Sequence, residues 1–330
     1  MNKYTVVKKV AQAITITVTV VILLYVFFRL MPGNPAELII AAVANKGKLS
    51  PAKLQDLLKV LGLQYGKWSF SGFIIYLRDM FMFRFGTSYN YRNDEAVIDV
   101  IRQALPYTLL LFGLAAVLSF IIGLPSGILT MFARGKKKEG AILGTSIILN
   151  SIPFFVLAIF LYVYIIGDFG VFPPSATAMN PKDLYDPTLY HLERLFYYMA
   201  LPLITLTAIE AMGHLITMRA AMVSVMGEDY ITTAKATGLS SRKIMFHNAA
   251  RNAMIPVSTR MALEFAVLAG GAVIVEIIFG WPGMGHILFN ATENEDYPLA
   301  EAGLYILALM TIIAYSLTDF IHAWLDPRLR

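Results

Sequence analysis

Apolar residues fall into long runs along this chain, and several runs reach the roughly twenty residues that a helix needs to cross a bilayer. The first extends from about Val10 to Leu30, behind Lys3, Lys8 and Lys9. It is too long for the apolar region of a signal peptide, and no small-residue cleavage site follows, so it is expected to be an uncleaved span with its N-terminus inside. Met31-Pro32-Gly33-Asn34-Pro35 ends it. Further spans are expected at about Tyr107–Phe132, Ala141–Ile166, Phe196–Val225, Val257–Ile278 and Ala302–Trp324. Basic clusters at Arg134, Lys136, Lys137 and Lys138, and at Lys235, Arg242, Lys243 and Arg251, mark cytoplasmic loops. Asp168, Asp186 and the cluster Glu293, Glu295 and Asp296 fall on the outer loops. The pattern predicts an all-α integral membrane protein of six transmembrane helices. Both termini are expected in the cytoplasm, the chain closing with Asp326-Pro327-Arg328-Leu329-Arg330.

Two polar stretches are too long to be simple turns. Residues 33–105 form an extended external insertion between the first and second spans. Within it Ser50-Pro51, then Leu54, Leu57, Leu58 and Leu61, then Gly62, spell a capped amphipathic helix. A second amphipathic helix is expected over Val97, Ile98, Ile101 and Leu105, started by Asn93-Asp94-Glu95. Such helices lie on a membrane surface or cover a pore mouth. The segment carries several Lys and Arg, but the positive-inside rule weakens in loops of this length.

The second stretch, residues 227–256, is a basic island between long apolar segments. Asp229 is placed to cap a short helix through Ile231, Ala234 and Thr237, with Gly238 ending it in the left-handed conformation. Ser240 or Ser241 is placed to cap a second helix through Arg242, Ile244, Met245 and His247. Thr233, Ala234, Ala236 and Gly238 are small enough to admit another backbone. An island of this form suits being gripped by a cytoplasmic protein; an amphipathic helix lying at the interface gives the same pattern.

Composition agrees with a membrane protein. Of 330 residues 57% are hydrophobic and 15% charged, against about a quarter charged in ordinary soluble domains, and the mean hydropathy is +0.63. The net charge of +5 belongs to the cytoplasmic loops; no basic stripe interleaved with aromatics suggests nucleic acid. Without cysteine there is no disulfide framework and no thiolate site. No phosphate loop and no H-E-x-x-H occurs, and Gly280-Trp281-Pro282-Gly283 fails the dinucleotide spacing. The histidines, His191, His214, His247, His286 and His322, share no ligand spacing. No catalytic residue, metal site or cofactor is therefore expected. Glu210 and His214 stand at i, i+4 in the fourth span, and Glu264 stands in the fifth. Ionisable groups at that depth are costly, and they line a translocation path or lock helices or subunits together.

Phe28-Arg29-Leu30-Met31-Pro32-Gly33-Asn34-Pro35, Leu61-Gly62-Leu63 and Phe85-Gly86-Thr87-Ser88 resemble, in order and spacing, the B-type permease subunit of the dipeptide/oligopeptide/nickel ABC-importer family. So do Asp229-Tyr230 through Gly238-Leu239, His247 through Arg251-Asn252 to Pro256, Glu276 through Phe279-Gly280-Trp281-Pro282-Gly283 to Gly285, Asp296-Tyr297-Pro298, and the C-terminal Asp326-Pro327-Arg328. The resemblance covers nearly the whole chain. It implies a type I (MetI-like) importer transmembrane domain, with residues 227–256 as the loop that docks into an ATPase. Asp229, Tyr230, Ala234, Gly238, Leu239, Ser240, Arg242, Arg251, Asn252 and Pro256 would carry that contact. One departure is plain: where the general loop motif opens Glu-Ala-Ala, this chain has Thr232, Thr233 and Ala234. The implied partners are a second, C-type permease, two cytoplasmic ABC ATPases, an external solute-binding protein and the lipid bilayer. The implied work is peptide import by alternating access, with ATP hydrolysed by the partners; oligosaccharide or nickel import by the same kind of complex is the alternative. An ATP-independent secondary carrier would show repeat symmetry and discontinuous helices, which the sequence does not display.

Overall fold

The computed structural model describes residues 3–30, 37, 39–41, 50–63, 68–92, 94–168, 170–179, 182–185, 188–254, 257 and 273–325. Among these, helices are the only extended regular elements, beside an isolated bridge between Thr87 and Ala96. In chain order they are α1 (Lys3–Leu30), α2 (Pro51–Val60), α3 (Phe70–Phe81), α4 (Val97–Thr130), α5 (Lys137–Ser151), α6 (Phe154–Leu161), α7 (Lys182–Tyr185), α8 (Leu189–Val225), α9 (Asp229–Ala236), α10 (Ser241–Lys243), α11 (Val273–Phe279), α12 (Met284–Glu293) and α13 (Tyr297–Leu325). Among the described residues four stretches are long and apolar enough to cross a membrane, Val7–Leu30, Val97–Ala133, Leu189–Val225 and Tyr297–Ser316, and up to six if each sharply bent helix pair is one span. The chain is an all-α membrane protein, as the apolar runs predict. Most of the expected fifth span, including Glu264, lies outside the described residues.

The chain divides into two compact units, one of Lys3–Leu109 with Pro282–Ile313 and the other of Leu110–Trp281 with Ala314–Arg330. In the first, Val21, Leu24, Tyr25 and Phe28 form the buried stripe of α1, at the i, i+3, i+4, i+7 spacing of one helical face. They join a core with Tyr76 and Met80 of α3, Ile101 of α4, Met284 and Ile287 of α12 and Tyr305 of α13. The expected α2 is present: Ser50 Oγ accepts from the Lys53 amide at 3.4 Å, and Pro51 occupies the first turn. Helix α3 is an element that the mixed polarity of its segment concealed.

One expectation for the external insertion is corrected. Val97–Leu105 is not a separate surface helix but the opening of α4, which runs unbroken past Pro106. Val97, Val100, Ile101 and Ala104 face the core rather than a membrane surface, and burial of that stripe outweighs the one hydrogen bond that Pro106 removes.

Polar groups in this unit are tied across long sequence separations. The buried Arg29 donates to the Leu61 carbonyl at 2.6 Å and lies 3.5 Å over the Tyr25 ring. The Tyr76 hydroxyl donates to Glu301 at 2.7 Å. Burial, then the nearby Glu301 carboxylate, pushes the Tyr76 phenol far above its ordinary range, so it keeps the proton it donates to Glu301. Asp296, fully buried, accepts from Ser88 Oγ at 2.6 Å and from the amides of Asn90 and Tyr91 at 3.0 Å each. The Tyr89 hydroxyl and the Asn90 side-chain Nδ2 also donate, to the carbonyls of Glu295 and Asn294 respectively. The Phe85–Ser88 and Asp296–Pro298 motifs thus form one clamp.

In the second unit α8 is the central helix, 37 residues long with Pro202 inside it. Gly123 and Gly127 of α4 pack against it. A Cβ on Gly123 would come within 2.5 Å of the Ala211 carbonyl, and one on Gly127 within 2.7 Å of Met218 Cβ. Small residues one turn apart let two helices approach this closely. Asn150 donates to the Ile209 carbonyl at 3.2 Å, fixing α5 to α8. The expected third span is not one straight helix: α5 and the α6 segment through Gly167 meet at 94° across Ile152-Pro153. Proline lacks the amide to continue α5 and holds Ile152 extended, at ψ 124°.

The Asp296 clamp yields a stability prediction. Asp296→Ala strands the amides of Asn90 and Tyr91 in a buried corner, a loss on the order of 3 kcal/mol. The melting temperature of the purified protein in detergent should fall by several degrees, while Lys59→Ala, on the exposed side of α2, leaves it unchanged. Equal melting of Asp296→Ala and wild type would refute the clamp.

Candidate functional site

Residues 227–254 form a helix, a turn and a second helix. Helix α9 starts one residue earlier than expected: Glu228 is its N-cap, with no side-chain cap bond, and Asp229 sits in the first turn. There its carboxylate still favours the positive end of the helix dipole. At the other end Thr237 is the C-cap, and Gly238 follows at φ +76°. The Gly238 amide donates to the Lys235 carbonyl at 3.0 Å and the Leu239 amide to the Ala234 carbonyl at 3.3 Å. These two bonds define a Schellman motif, with Leu239 packed on the apolar cluster that contains Ala234. A Cβ on Gly238 would meet nothing within 4 Å, so glycine is required here by backbone conformation and not by space. Ser240 opens the next helix, its Oγ accepting from the Lys243 amide at 3.4 Å. That helix continues through a wider π-helical turn, Ile244–Ala249, to residue 254.

The island has two faces. Ile231 and Ala234 are buried with Ile244, Ala249, Ala250 and Ala253 against Met218 and Met222 of α8 and Ile128 and Met131 at the end of α4. Thr232, Thr233, Lys235, Ala236, Arg242, Lys243, Phe246 and Arg251 are exposed. Across the island Asn252 Nδ2 donates to the Tyr230 hydroxyl at 2.7 Å. Both residues were candidates from sequence, and the fold closes them into one latch between the two helices. Pro256 lies outside the described residues.

Glu210 and His214 are both buried, and His214 lies on the face of α8 that meets α4. The His214 ring stacks on Phe120 at 4.3 Å between centroids and 24° between planes, and Gly123 lies against its Cβ. One polar contact escaped the sequence reading. Arg219 of α8 donates to Glu139 Oε1 from Nε at 3.1 Å and from Nη2 at 2.6 Å, and the Gly135 amide donates to Oε2 at 2.7 Å. Only the basic run before Glu139 was conspicuous; nothing in the spacing pairs positions 139 and 219.

The architecture, a multi-pass helical membrane protein with a polar helix-turn-helix loop seated on its span ends, is one that a transport permease can use. Residues 122–330 match the family described as "Binding-protein-dependent transport system inner membrane component", and the chain belongs to that family. It is similar to the oligopeptide transport system permease protein AppB of Bacillus subtilis (strain 168), 29% identical over 331 residues that cover 98% of both chains. The dipeptide transport system permease protein DppB of Escherichia coli (strain K12) is 28% identical over 341 residues, covering 98% of this chain and 97% of that one. DppB of Alkalihalophilus pseudofirmus is 27% identical over 336 residues, covering 98% of both. The resemblance read from the motifs is thereby shown: this is a permease component of an ABC importer, a multi-pass protein of the cell membrane.

The left-handed turn can be checked on its own. Gly238→Val should cost about 1–2 kcal/mol locally and Gly238→Ala somewhat less, while Gly238→Asn, whose side chain tolerates this conformation, costs least. Trypsin cleavage at Arg242 and Arg251 should accelerate in the order Asn, Ala, Val. Identical cleavage rates across the series would show that the turn does not need φ near +76°.

Proposed function

We propose that this chain is one half of a heterodimeric peptide-importing pore, and that residues 227–256 are the loop through which two cytoplasmic ABC ATPases drive it. A C-type permease supplies the other half, and an external solute-binding protein delivers the peptide. Both termini lie in the cytoplasm, and residues 33–105 form an external insertion in a single permease domain, 1–330. ATP is bound and hydrolysed by the partners; this chain contributes alternating access and no covalent chemistry. The peptide assignment is supported by the names of the relatives, which are oligopeptide and dipeptide permeases.

The observation that carries the coupling role is the island's construction. Its buried face, Ile231 and Ala234, is packed on Met218 and Met222 of α8, so a load on the exposed face reaches the span ends directly. The Gly238 turn and the Tyr230–Asn252 bond make helix, turn and helix a single stiff piece. A stiff piece transmits displacement where a loose loop would absorb it. Ser240 belongs to this piece as a cap, Leu239 by its packing, and Asp229, Arg242 and Arg251 as exposed charges. His214 stands at the α4–α8 seam and Glu210 one turn before it on α8, so any rearrangement of these helices carries both along. The stacking of His214 on Phe120 favours a helix-lock role for that residue, and Glu210 and Glu264 are proposed with it as path or interface residues.

The test uses the assembled transporter in proteoliposomes with its binding protein. Ala236→Trp and Arg242→Glu, both on the exposed face, should each lower peptide-stimulated ATP hydrolysis at least tenfold while the ATPase subunits keep their basal rate. Lys59→Glu should change neither rate. Full stimulation in both island variants would remove the coupling role. Stimulation by a sugar or Ni²⁺ but not by dipeptides would replace the substrate and leave the coupling role standing.

A further inference from the structure

A cavity of about 480 Å³ opens at the turn between α4 and α5. Its floor and one wall are apolar, from Leu129, Phe132, Ile142 and Leu215, and its rim carries Lys136 and Lys138. Ser126 and Thr130 also line it, but their hydroxyls already donate to the carbonyls of Ile122 and Ser126, at 2.6 and 2.7 Å. The apolar wall does not stop at the cavity. Ile122 and Leu129, with Ser126 between them, share one face of α4, and both apolar side chains are exposed. They make an apolar track running from the cavity along a helix long enough to cross the membrane.

The electrostatics of the rim are one-sided. Arg134, Lys136, Lys137 and Lys138 crowd the turn, and the carboxylate that follows them in sequence, Glu139, is held by Arg219 at 2.6 Å and by the Gly135 amide. An acid committed in this way does not neutralise the lysines. The cavity therefore pairs two lysines with an apolar lining, at the end of a spanning helix, on the side that the positive-inside pattern assigns to the cytoplasm. That combination matches one kind of molecule: a phosphate head joined to acyl chains. Basic pockets of this form between spans take anionic headgroups.

We propose that this cavity is a site for an anionic phospholipid. Its phosphate sits between Lys136 and Lys138, and one acyl chain lies along Leu129 and Ile122. The lipid also fills the gap between α4, α5 and α8 just above the loop residues 227–256, so its presence bears on how firmly that loop's footing is packed.

The native chain has no cysteine, which permits a clean test. The full-length protein, purified with whatever subunits accompany it, is delipidated and titrated with phosphatidylglycerol or phosphatidylcholine of identical acyl chains, and binding is read by native mass spectrometry. The wild type should prefer phosphatidylglycerol, and Lys136→Gln with Lys138→Gln should weaken that preference on the order of tenfold. Lys8→Gln with Lys9→Gln should leave it intact. Leu129→Trp, which fills the cavity, should lower occupancy by both lipids. Inorganic phosphate at millimolar concentration should not displace the lipid. Equal retention of the two lipids by the wild type would overturn the proposal without any variant. Displacement by phosphate would overturn it by showing a free-anion site. A Leu129→Cys chain that cross-links quantitatively to a neighbouring subunit would overturn it by showing that a protein covers the cavity.

Discussion

No water reaches the hydrocarbon core of a bilayer, so every polar group there must find its partner inside the protein. Most features of this molecule follow from that demand. Threonine and serine hydroxyls in the long helices turn back on their own helix: Thr15, Thr17 and Thr19 in α1, Thr205 and Thr217 in α8 and Thr311 in α13 each donate to the carbonyl one turn earlier. Groups that cannot be satisfied locally are tied to distant chain. Glu139 is held by Arg219, Glu301 accepts from Tyr76, and Asp296 gathers a hydroxyl and two amides. These ties lie near helix ends, which is also where the loops that meet other molecules begin.

The same demand explains what was legible in the sequence. Apolar runs and the charges between them are direct records of the bilayer, so the helical class, the long spans and the polar island could be read without a structure. Local backbone chemistry was legible too, because its causes lie within a few residues: Ser50-Pro51 starts a helix, Gly238 stops one, and Ser240 starts the next. Hidden features depended on distant chain. Ser88 and Asp296 were each conspicuous, yet no local pattern states that one accepts a hydrogen bond from the other. Nor does anything in Val97–Leu105 reveal that its apolar face meets α1 and α12 rather than a membrane surface; in isolation the two faces look alike. The bend at Ile152-Pro153 was available to a reader who weighed the proline against the apolar run, and the run prevailed.

Of the candidate site, the island's residues and its helix–turn–helix outline were legible, and the bond that closes it was not. Tyr230 and Asn252 both stood out, but their hydrogen bond depends on how far the π-helical turn over Ile244–Ala249 rotates the second helix, which no propensity encodes. Glu210 and His214 were recognisable as costly groups in a span. Phe120, the ring that His214 stacks on, looked like any other apolar residue of α4.

The proline within α8 has a mechanical meaning. From Pro202 to the end of that helix at Val225 the rod is about 35 Å long at 1.5 Å per residue. A proline leaves one rung of the backbone ladder unbonded, so bending is cheapest there. A change of only about 10° in the bend would sweep the far end of the rod through about 6 Å, by the same geometry. A modest flexure deep in the membrane and a displacement of atomic contacts at its surface are then the same motion, seen from opposite ends of one helix.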